Sequence, residues 1–111
     1  MNDLHAALAG HRDVQVTFSA TVATAPHFFY GSRTHAEHEA FEVRSDSGDR
    51  LEVVDNVVLA PRVPVRPGDR VTIAGELVPD AERGPLVHWT HHDPAGIHPN
   101  GYIDFAGRRY A

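Results

Sequence analysis

From Val14 to Val22 the chain alternates: Val14, Val16, Phe18 and Val22 are interleaved with Gln15, Thr17 and Thr21. Period-two patterning rich in β-branched side chains predicts a long first strand with one buried face. The residues before it follow a helical rhythm. In DLHAALAGH, Leu4, Ala7 and Leu8 share a face, Asp3 can cap the start and Gly10 can end the helix. Pro26 stops the first strand, and APHFFYGSRTHAEHE reads as a loop with Phe28, Phe29 and Tyr30 tucked against the body. FEVRSDSGDRLEVVDNVVL predicts a hairpin, with Phe41 and Val43 in one arm, a turn over 46–49, and Leu51 and Val53 in the other. APRVPVRPGD is a proline-stiffened connector, RVTIAGEL a fourth strand with Val71 and Ile73 inward, and PLVHWTH a fifth. A short strand from Tyr102 to Phe105 precedes a final GRR turn. Five main strands, one small helix and no alternating β–α units predict an all-β, five-stranded OB-like barrel with a short N-terminal helix, a single domain over 1–111.

Composition narrows the chemistry. There is no cysteine, so thiolate nucleophiles and cysteine–zinc sites are excluded, and any metal must be held by His, Asp or Glu. The ten basic side chains are all arginine and face fifteen carboxylates, for a formal charge of −5. That balance argues against broad electrostatic capture of nucleic acid but leaves room for one phosphate or a short ligand. No stretch is apolar enough to span a bilayer as a helix. MNDLHAALAGHRD lacks a basic region followed by an apolar core, so a cytoplasmic location is expected, with the mature form of an exported protein left open. Nine histidines make much of the charge adjustable near neutral pH.

Four of those histidines, the one tryptophan and two glycines fall in LVHWTHHDPAGIHPNGY, residues 86–102. Were Leu86 to His92 one strand, His88 and His92 would share a face ~13 Å apart, too far to hold one zinc. The stretch therefore supplies part of a site, unless the chain bends near Thr90. Gly96 and Gly101 allow the backbone to double back and bring His98 toward His91 or His92. Other candidates are His38, at the start of a strand; Glu76, at the end of one; and Arg62, presented between prolines either as a phosphate or carboxylate clamp or, as composition favours, as a surface arginine paired with one of the fifteen acids. HAEHE lacks the spacing of a zinc-peptidase helix, and His35 reads as a solvated loop residue.

Taken together, LAPRVPVRPGDRVTIAGEL and VHWTHHDPAGIHPNGYIDFAGRRY resemble an uncharacterised bacterial family, the domain of unknown function numbered thirty-four sixty-five. The matching positions are Gly31-Ser32-Arg33 with His38 and Phe41, Asn56 to Pro64, Gly68 to Leu77, and Leu86 to Ile103. Three departures stand out: four extra residues from Thr34 to Glu37, Asp55 in place of a histidine, and Tyr102 in place of a tryptophan. The resemblance implies a small OB-like barrel and no established reaction.

These features lead to an expected site at one barrel end. His38, His91, Asp93 and Glu76 are its acid–base candidates, Arg62, Asn56 and Trp89 would bind substrate, and His88, His92 and His98 would hold a divalent metal, zinc first. The expected activity is metal-dependent hydrolysis of a phosphodiester or nucleic acid, or general acid–base chemistry by a His pair without metal. The competing class is a non-catalytic binding module that stacks a single-stranded nucleic acid or small ligand on Trp89, Tyr102 and Phe105. A third reading is a buried histidine network that fastens the C-terminal turn, with Trp89 in the core.

Overall fold

A computed structural model describes residues 4–111; Asp3, the expected helix cap, lies outside the described residues. The elements in order are α1 (Leu4–Ala9), β1 (Val14–Val22), β2 (His27–Gly31), β3 (Ala36–Ser45), β4 (Arg50–Asn56), β5 (Arg70–Val78), β6 (Leu86–His88), β7 (Tyr102–Phe105) and β8 (Arg108–Tyr110). Five of them close a barrel in the order β1-β3-β4-β6-β5 and back to β1. Closure depends on β1, which pairs with β5 from Val14 to Thr21 while Ala20–Val22 also pair with Val43–Ser45 of β3. The β4–β6 seam is parallel and the other seams of the ring are antiparallel. This is an OB-like barrel, and closing the sheet leaves no free edge in the ring.

The alternation read from the sequence becomes the core. Val16, Phe18, Ala20 and Val22 of β1 meet Phe41, Val43, Leu51, Val53, Val71, Ile73, Val87 and Ile103 inside the barrel, and Leu4 of α1 packs against this cluster. The connector after β4 covers it with Val63 and Val65. No helix is long and apolar enough to cross a membrane among the described residues.

Three local expectations are corrected. Residues 25–39 are not one loop: β2 pairs with the first half of β3, Phe29 opposite His38, because β1 uses only the far half of β3 and leaves this edge free. Its aromatics are not tucked in, and Tyr30 is 66% exposed. The fifth strand, expected over PLVHWTH, ends at His88, and the chain bends one residue before Thr90, since Trp89 takes a left-handed backbone (φ 54°) that no strand continues. The GRR turn closes into a further strand, β8, paired with β7.

Candidate functional site

The turn at Trp89 begins the site, and its cause lies on other strands. A Cβ at Gly75 of β5 would stand 2.5 Å from the His88 carbonyl oxygen. A Cβ at Gly101 would come closer still, near the carbonyl oxygens of Trp89 and Ala74. The two glycines thus open the slot in which the turned backbone lies, and Gly101 N–H donates to the carbonyl of His91 (2.9 Å). Beyond the turn, the Asp93 carboxylate accepts the N–H groups of Ala95 (3.0 Å), Ile97 (2.6 Å) and His98 (2.8 Å), and Asn100 Oδ1 accepts that of Asp93 (2.8 Å). Those donors, that of His98 first, hold the Asp93 carboxyl below the usual range. This clamp folds the loop back and sets His98 against Trp89 and His91. Asp93→Ala is expected to lower the melting temperature by several degrees and to red-shift Trp89 emission, both read in one fluorescence melt.

The result is a pocket of about 240 Å³ lined by His38, Asn56, His88, Trp89, His91 and His98 with Thr34, Val54 and Leu59. His38 and Asn56 are register partners on the outer face of β3–β4, whose other face supplies Phe41 and Val53 to the core. Gly31 leaves room for this arrangement, since a Cβ there would stand 2.8 Å from His38 Cε1.

Hydrogen bonding fixes the tautomers. Nδ1 of His38 lies 3.0 Å from the Ala36 carbonyl, Nδ1 of His91 2.8 Å from that of His92, and Nδ1 of His98 2.8 Å from that of Pro99. A carbonyl only accepts, so each Nδ1 carries the hydrogen and, in the neutral ring, each Nε2 is an acceptor. His88 is held the other way: its Nε2 donates to Glu76 Oε1 (2.8 Å), leaving Nδ1 to take a proton. Burial lowers the pKa of His91, which keeps that ring neutral at neutral pH. His88 and His98 both lie flat against the Trp89 indole, with centroids 4.6 and 4.1 Å away, and His91 meets His98 edge-on at 5.5 Å. Phe29 of β2 stacks on His38 at 5.4 Å. Trp89 is therefore a half-exposed plate of the pocket wall rather than a core residue.

The other expected residues fall outside the pocket lining. Arg62 is exposed, pairs with Glu37 and lies 4.5 Å over the Phe28 ring. His92 and His35 are exposed. Tyr102 is covered by the Arg109 guanidinium at 3.7 Å, and Phe105 packs against the core. Asp93 bears on the site through His98, whose Nε2 is 3.7 Å from Asp93 Oδ2, and through its charge on His91. Among the described residues, no three His, Asp or Glu side chains are grouped closely enough to hold a metal ion.

Two residues that the sequence reading did not place behind the site are found there. Glu39 and Asp55 are register partners facing into the barrel behind the pocket, and both are fully buried. Glu39 Oε1 accepts the Val63 N–H (2.9 Å), which ties down the connector. Burial raises the pKa of Glu39 and pushes Asp55 up to about 7, helped by the charge of Glu39. Their signal was present: each carboxylate sits in the inward register of an alternating strand, two residues from Phe41 or Val53.

No curated protein and no solved structure matches this chain. The family model described as "Protein of unknown function (DUF3465)" matches residues 2–111. With nearly the whole length matched, the chain belongs to that family.

Proposed function

We propose that the pocket is a hydrolytic site that cleaves a phosphodiester by histidine acid–base chemistry. The observation that carries this reading is the Glu76–His88 pair (2.8 Å) opening onto a cavity also lined by His38, His91 and His98. A carboxylate that holds one imidazole N–H orients the ring and stabilises its protonated form. His88 Nδ1 then takes the proton of an attacking water, while a second, protonated imidazole of the pocket gives its proton to the leaving oxygen. The imidazolium formed at His88 as it takes the water's proton supplies positive charge toward the phosphate, since Arg62 is engaged elsewhere. A divalent ion such as zinc is the other means of activating the water: ring tethering to backbone carbonyls, as in His38, His91 and His98, orients metal-binding imidazoles. Such an ion requires these side chains to close together.

Release of 4-nitrophenolate from bis(4-nitrophenyl) phosphate, with EDTA and with added zinc, tests both routes. Turnover in EDTA that falls about 100-fold or more in His88→Gln is the expected result. No turnover under either condition sinks the proposal. The stacked plates of His88, Trp89 and His98 favour a second reading, a binding site for a ring-bearing small ligand or a short single strand. Binding of short oligonucleotides that weakens with salt, without cleavage, supports that reading instead.

A further inference from the structure

Behind the pocket, Thr90 Oγ1 stands 3.1 Å from the Val54 carbonyl oxygen and 3.2 Å from Asp55 Oδ1. A hydroxyl has one hydrogen to donate, and with an ionised Asp55 both neighbours are acceptors competing for it. The Asn56 N–H is a backbone donor to the carboxyl and favours its ionised form, but the other carboxyl oxygen, Oδ2, is buried without a hydrogen-bond partner, and Glu39, also fully buried, sits opposite on β3. Every one of these conflicts is eased if Asp55 carries a proton. Oδ1–H then donates to Thr90, Thr90 donates to Val54, the stranded oxygen is an uncharged carbonyl, and Glu39 faces no second charge.

We propose that Asp55 keeps its proton in the native protein up to neutral pH and is a positioning residue for the pocket, its proton completing an Asp55–Thr90–Val54 relay that holds the wall formed by Trp89 and His91. Thr90 is the residue between those two pocket side chains, and it is fully buried, so its tether sets their place. Raising the pH removes the proton, leaves Thr90 with one hydrogen for two acceptors and puts two negative charges inside the barrel. The wall shifts in consequence. The charged groups that act on the pair are Glu39 on β3, which raises Asp55, and Arg62 on the connector, which acts on Glu39; along the chain the pocket imidazoles next to the pair are His38, before Glu39, and His91, after Thr90. The direction agrees with the raised pKa of Asp55. The inference rests on the geometry of the pocket wall and stands whether or not the pocket hydrolyses anything.

The test is NMR of the full chain from pH 4 to 9, following side-chain carboxyl carbons and the single indole N–H of Trp89. In the wild type the Asp55 carbon is expected to titrate near neutrality, with the indole signal moving at the same midpoint. In Asp55→Asn that indole step disappears, leaving only what the histidines impose; in Thr90→Val the carboxyl step persists and the indole no longer follows it. An Asp55 carbon that titrates in the ordinary carboxylate range overturns the proposal from the wild type alone. So does an indole step of unchanged midpoint in Asp55→Asn, which would assign it to the histidines.

Discussion

Asp55→Asn is expected to stabilise the protein by about 3 kcal/mol at pH 8 and by almost nothing at pH 4. The Asp55 carboxyl is raised from 3.8 to about 7, first by burial and then by the charge of Glu39. Above pH 7 it is ionised in both folded and unfolded chains, and the folded state carries the full cost of the buried charge. As pH falls from 7 toward 4, the folded chain takes up a proton that the unfolded chain does not, so wild-type stability rises. Below about pH 4 both states are protonated and this contribution stops changing. A full shift corresponds to about 4 kcal/mol, trimmed here because buried carboxyls recruit some water and rearrange. Asparagine keeps the shape and offers a neutral donor to Thr90. Urea unfolding of both proteins at pH 4, 6 and 8 reads the difference directly. A gain equal at all three values would mean that Asp55 does not titrate in this window.

Gly101→Ala is the second large effect, a loss of about 3–4 kcal/mol and a fall in melting temperature of about 15 °C. The added methyl has no space, because the carbonyl oxygens of Trp89 and Ala74 and the Thr90 Cα at 2.9 Å surround it, and two of the three belong to the turn that forms the pocket wall. Backbone cannot swing aside as a side chain can, so either β7 or the 89–91 turn must move. Calorimetry measures the loss. A near-wild-type melting temperature would show that the turn is not held in the slot described above.

The barrel was largely legible because its strands alternate cleanly: 14–22, 41–53 and 70–77 each place their apolar residues on one face, and the turn at 46–49 and the strand at Tyr102–Phe105 lie where turn chemistry puts them. Sequence failed where distant residues decide local structure. HFFYG carries strand-forming aromatics, but Pro26 and Gly31 bracket it like a loop, and its partner edge on β3 exists only because β1 crosses elsewhere. No rule of local preference makes Trp89 left-handed; Gly75 and Gly101, on two other strands, make room for it. For the same reason His38, His88, His91 and His98 could be chosen from the sequence but not arranged. Arg62 follows the plainer of its two readings: it is exposed and pairs with Glu37 of β3, outside the pocket lining. For Glu39 and Asp55 the unread feature is burial, since a carboxylate in an inward register is visible in the alternation itself and signals an unusual proton affinity.

The chemistry of the pocket depends most on imidazoles fixed in advance, with Nδ1 of His38, His91 and His98 each tied to a backbone carbonyl and His88 turned the opposite way by Glu76. Long-range proton–nitrogen correlation spectra of the histidine rings at pH 8 report each tautomer directly. The predicted result is hydrogen on Nδ1 in His38, His91 and His98 and on Nε2 in His88, with Glu76→Gln altering only the His88 pattern. Hydrogen on Nε2 in the first three, or rings averaging between tautomers, would contradict it.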